Sequence, residues 1–95
     1  MALLLKAEGG TIAVRPEESD KFTVEELQKH VGGYFTIFLK EHDGMMLGRE
    51  FEYLEQIYQE RVAVNISATA MYRFHTRTGA TIWGDVLLVP NEEMD

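Results

Sequence analysis

Asn65, Thr69 and Arg73 stand four residues apart, so on a helix they share one stripe. Placed beside Tyr34 they would line a polar pocket in which the phenol ring stacks on a base and the guanidinium neutralises a phosphate. That is the chemistry of a small-ligand, nucleotide-binding protein. The same three residues also read as a helix cap, a satisfied hydroxyl and a surface charge. Aromatic side chains offer a second kind of chemistry. Phe51, Tyr53, Tyr58, Tyr72, Phe74 and Trp83 belong to a set of five Phe, four Tyr and one Trp in 95 residues. That is more than one small core readily hides, so part of the set is expected to form a contact patch for a partner.

Signals for bond-making chemistry are weak. His30, His42 and His75 match no short ligand spacing, and the absence of cysteine removes thiolate-bound zinc, iron–sulfur and disulfide frameworks. No metal or cofactor is expected. Ser, His and Asp all occur, but no Gly-x-Ser-x-Gly elbow marks a nucleophile. Gly32-Gly33 follows a helix and precedes a strand, the reverse of a dinucleotide fingerprint, and reads as a helix stop. Glu50, Glu52, Glu55 and Glu60 read as a solvated helix face. The protein is therefore expected not to be an enzyme.

Nine basic against sixteen acidic side chains give a net charge of −7, which opposes direct binding to DNA or RNA. That charge suits solubility, a basic protein partner or imitation of DNA. The opening run Met-Ala-Leu-Leu-Leu meets a charge at Lys6 and is too short to span a membrane. A cytoplasmic protein without membrane association is expected.

The elements that must position these residues are mostly legible. Residues 2–7 and 11–15 read as two strands turned at Gly9-Gly10 and stopped by Pro16, with a polar loop over 17–21. Thr23 with Glu26 is a capping box, and Phe22 with Leu27 has the spacing of a hydrophobic staple. Val24, Leu27, Gln28 and Val31 form a helical stripe that Gly32 ends. Residues 34–40 read as a strand, 42–44 as a turn and 45–47 as the return. The segment 48–61 reads as a helix with Phe51, Leu54, Ile57 and Tyr58 on one stripe, or as a continued strand with a loop. A strand-like run from Val62 leads to Asn65, whose side chain caps a helix by accepting from Ser67 or Ala68. Ala70, Met71 and Phe74 are expected to share a face, and Ser67, Ala68 and Ala70 are small enough to let the helix backbone approach a sheet. Residues 81–89 read as a final strand whose apolar end, Val86-Leu-Leu-Val89, suits a central position, and Pro90 closes it.

The expected fold is α+β: a mainly antiparallel sheet of about five strands with two or three short helices packed on one face. A single domain spans 1–90, and 91–95 form a frayed acidic tail. A chain of this length buries only roughly 60–65% of its unfolded surface, so a homodimer through a sheet edge or the 51–58 face is expected.

Val31-Gly-Gly-Tyr34 after a capped helix, Val64-Asn65 with Ala68-Thr69 and Tyr72, and Gly84-Asp85 before an apolar strand also carry a resemblance. Together they resemble a family of small proteins, a domain of unknown function found in bacteriophages, prophages and bacterial mobile elements. The order of elements is similar over nearly the whole chain, and the departure lies in 48–61, which is more aromatic here. The resemblance implies a phage or mobile-element accessory protein; the acidic character, the surplus aromatics and the lack of a catalytic constellation add the expectation that it binds and modulates a host protein. The resemblance implies no reaction and no catalytic residue.

Overall fold

A computed structural model describes residues 1–94. Five strands, β1 (Ala2–Leu5), β2 (Thr11–Val14), β3 (Phe35–Lys40), β4 (Gly44–Arg49) and β5 (Val86–Pro90), form one antiparallel sheet in the order β2-β1-β5-β4-β3. Helices α1 (Val24–Val31), α2 (Leu54–Gln59) and α3 (Ile66–Thr76) complete the α+β fold. The last strand in sequence is the middle strand in space. Its run Val86-Leu-Leu-Val89 pairs with β1 on one side and β4 on the other, as expected for a segment with no polar face.

Register decides which residues meet which helix. Leu4, Leu87 and Leu47 are directly opposed across β1, β5 and β4, so they share a face. That face carries the core of Ala2, Phe22, Leu27, Val31 and Val89, which belongs to α1. Leu5 and Val86 oppose each other on the reverse face, and with Met46 they pack against Ala68, Met71 and Tyr72 of α3. The expectation of helices on a single face therefore gives way to one helix on each face. The cause is β5, whose side chains are apolar on both sides and would leave one side wet under a one-sided cover.

A bulge between Ile37 and Leu39 breaks the β3–β4 register. It lets consecutive residues, Phe38 and Leu39, both join the α3-side core. Gly48 leaves room for the Phe38 ring: a Cβ there would lie 2.4 Å from it.

Helix α1 forms as its sequence dictates. The Glu26 N–H donates to Thr23 Oγ1 at 3.1 Å, and the Thr23 N–H donates to Glu26 Oε1 at 3.0 Å. Phe22 and Leu27 are both buried in one cluster, which completes the staple. Gly32 ends the helix at φ 88°, a conformation that costs an L side chain energy. Thr23→Ala is expected to lower stability by about 0.5–2 kcal/mol in chemical denaturation. Glu26 Oε2 accepts a further bond from the Glu17 N–H. The bonds from Glu17 and then Thr23 hold the Glu26 carboxyl below its ordinary value of 4.5. A depressed carboxyl stabilises the fold above its unfolded value and loses that contribution as pH falls through the folded one. Below pH 4.5 the wild type should therefore lose stability more steeply than Glu26→Gln, read as the denaturation midpoint against pH.

Three segments differ from expectation. The run 48–61 divides into the end of β4, a loop and the six-residue α2, in which Ile57 is buried while Leu54 and Tyr58 are exposed. The strand expected over 81–89 begins only at Val86. Gly84 at φ 84° turns the chain first, and the part before it pairs instead with 63–65, through a Val64–Trp83 bridge. Residues 91–94 are docked rather than frayed. Asn91–Glu93 form a 3-10 turn, the Phe22 N–H donates to the Glu93 carbonyl, and Met94 packs on the α1-side core. Glu93 Oε1 lies 2.7 Å from the Met1 ammonium, its only polar partner among the described residues. Asp95 lies outside the described residues. No helix is long and apolar enough to cross a membrane among those residues.

Candidate functional site

The polar stripe of α3 holds the fold together, buried at Asn65 and Thr69 and exposed at Arg73. Asn65 is 0% exposed. Its Oδ1 accepts from the Ala68 N–H at 3.0 Å, as a helix cap should. Its Nδ2 donates to the carbonyls of Leu5 and Gly84, both at 2.9 Å. One amide thus joins the end of β1, the start of α3 and the turn before β5. Thr69 Oγ1 accepts from the Ile82 N–H at 2.9 Å and donates to the Ile82 carbonyl at 3.2 Å. Arg73 donates from Nε to the Ala80 carbonyl and from Nη2 to the Gly79 carbonyl and Thr81 Oγ1. At four-residue intervals the stripe stitches the segment 79–84 to α3.

Asp85 adds the next stitch. Its carboxylate meets Lys6 Nζ at 2.6 Å and accepts the Ala7 N–H at 2.9 Å. The hydrogen bond that Lys6 donates to Asp85, and the charge of that carboxylate, raise the Lys6 pKa above 10.5. The motif residues Asn65, Ala68, Thr69, Gly84 and Asp85 thereby converge on one junction of strands and helix.

Tyr34 is not part of that junction. It stands 71% exposed between α1 and β3, tied by its carbonyl to the Glu50 N–H. The groove that Arg73 does line is formed with Val64, Ile66, Thr69, Ala70, Thr81 and Trp83. The structure therefore does not bring Tyr34 together with Asn65, Thr69 and Arg73 into one pocket, and Asn65 has no donor left for a ligand.

The aromatic set divides. Tyr53, Tyr58 and Phe74 are exposed, and Phe51, Tyr72 and Trp83 are half-buried. Phe51 lies under the Arg49 guanidinium at 4.7 Å. Arg49 in turn holds Glu60 with two bonds of 2.9 and 2.7 Å, so Glu60 leaves the solvated acidic face and ties α2 to β4. Arg49 and then Gln56 hold the Glu60 carboxyl below its ordinary value. Tyr72 meets Phe38 edge-on inside the α3-side core. His30 packs edge-on against Phe22, and His75 Nδ1 sits 3.2 Å from Glu41, so the histidines lie on separate elements. No three metal-ligating side chains converge among the described residues.

No protein-family model, curated protein or solved structure matches this chain. Its own surface carries the functional reading.

That surface is the outer face of α3. Ile66, Ala70 and Phe74 recur at i, i+4 and i+8, and all three are exposed, Ile66 by 77% and Phe74 by 81%. Beyond Ile66, a groove of about 490 Å³ runs to Trp83, and Tyr58 meets the Trp83 ring edge-on at 6.4 Å. This corrects the expectation that Ala70 and Phe74 face the core with Met71. Ile66 carried no functional expectation, yet two signals mark it. It opens a second apolar stripe beside the one that packs on the sheet. It also lies in a stretch, 61–84, that contains three arginines and no acid, although the chain holds sixteen.

Proposed function

We propose that the protein is a non-enzymatic binding protein that docks on another protein through the outer face of α3 and the adjoining Tyr58–Trp83 pair. The family resemblance supports an accessory of phage or mobile-element origin, and the acidic character and surplus aromatics support its modulating a host protein. The observation that carries the docking reading is the ridge of Ile66 and Phe74. Two large apolar side chains stand in water on a helix whose opposite face already supplies the core. The fold gains nothing from their exposure, whereas an aromatic anchor beside a groove is the usual centre of a protein contact.

The test pairs Ile66→Glu with Phe74→Glu in one tagged protein and compares capture from bacterial lysate with the wild type. Both sites are solvent-exposed, so stability should stay within about 0.5 kcal/mol of wild type. Retained protein should fall by about thirtyfold or more, the effect of losing a hot-spot residue. An unchanged capture profile at unchanged yield removes the docking reading.

A further inference from the structure

The stretch of chain that carries the α3 ridge is opposite in charge to the molecule, and the acid that reaches it from outside is Glu41, 3.2 Å from His75. Every one of the sixteen acids lies outside 61–84, and inside it stand Arg61, Arg73 and Arg77. Arg73 follows Ala70 by three residues on the exposed side of the helix, Arg77 is the left-handed residue that ends it at φ 60°, and both are solvent-exposed. Arg73 lines the same groove as Ile66 and Trp83. Its Nε and Nη2 are engaged by the 79–81 segment, and Nη1 has no protein acceptor among the described residues.

We infer that the segment this face receives from its partner is acidic as well as apolar: large side chains for the groove, flanked by carboxylates that meet Arg73 and Arg77. This rests on the docking reading above and names the chemistry of its partner. A second copy of the chain fits poorly, because a two-fold contact of ridge on ridge sets each arginine cluster against itself. A nucleic acid fits poorly too. The overall −7 charge repels phosphates, and the groove beside Arg73 is lined by Ile66, Ala70 and Trp83. An acidic, apolar segment satisfies both the groove and its rim.

The probe is a random peptide library selected on the intact protein, with the Ile66→Glu, Phe74→Glu double variant and Arg77→Glu as comparisons. Selected peptides should combine Leu, Phe or Trp with Asp or Glu, and should weaken as salt rises. Arg77→Glu should bind them about tenfold less tightly, the scale of one charge-assisted contact. Neutral or basic peptides that the double variant fails to bind overturn the acidic inference and leave the docking reading standing. Peptides that bind wild type and double variant alike overturn both. Preferential binding of a single-stranded oligonucleotide, a dimer that Phe74→Glu dissolves, or a library with no enriched peptide each overturns the inference as well.

Discussion

Asn65→Ala is expected to cost about 3–5 kcal/mol, the sum of a lost helix cap at about 0.5–2 and two orphaned carbonyls at about 1–3 each, less relaxation. The bonds at stake are the one Asn65 accepts from the Ala68 N–H and the two it donates to the Leu5 and Gly84 carbonyls. A domain of this size holds only about 5–15 kcal/mol in all, so much of the fold's margin depends on one side chain. Urea titration followed by circular dichroism reads the loss directly. A change below about 1 kcal/mol would show that water replaces the amide and that the junction is not as dry as its burial implies. Asn65→Asp gives a second, independent reading. It keeps the capping oxygen but sets a carboxylate against two carbonyl oxygens. Its pKa is then raised by burial and lone-pair repulsion, so the variant's stability should increase as pH falls, the reverse of the Glu26 effect.

Leu87→Ala is the other large effect, about 2–5 kcal/mol. Leu87 is 0% exposed, opposed by Leu4 and Leu47 in the central rows of the sheet, with Leu27 and Val31 in the same core. Neighbours paired through backbone ladders on both sides cannot collapse into the space left behind. The denaturation midpoint should fall while the slope with urea stays unchanged. Phe74→Ala is the natural comparison. It deletes more carbon, yet from a side chain in water, and should move stability by no more than about 0.5 kcal/mol. If the two variants lost similar amounts, the assignment of inner and outer faces to α3 would be wrong.

That assignment is where sequence and structure part most clearly. The capping box of α1, the central place of Val86-Leu-Leu-Val89 and the Asn65 cap are all written locally, in residue types a few positions apart. The rotation of α3 about its own axis is not local. Ala70, Met71 and Phe74 look like its apolar face because they are its most apolar cluster. What turns the helix is Asn65, drawn inward by carbonyls 60 and 19 residues away. Once Asn65 points into the junction, Ala68, Thr69 and Tyr72 must follow it, and Phe74 is carried outward. The same distance effect hid the polar role of Arg73, whose acceptors are loop carbonyls that no spacing rule predicts. The docking of 91–94 depends likewise on Phe22, some seventy residues earlier.

The irregular hydrogen-bonding register of β3 has a consequence for how the protein behaves when crowded. An open, flat strand invites a neighbour's backbone to zip alongside it, the first step towards fibrils. Here the outer strand shifts phase between Ile37 and Leu39 and ends in Lys40, so an incoming chain could match only a few rungs before falling out of step. The opposite border, β2, is four residues long and soon followed by Pro16. Both flanks of the sheet thus discourage runaway stacking, which lets the molecule keep a greasy helix in water without polymerising through its edges.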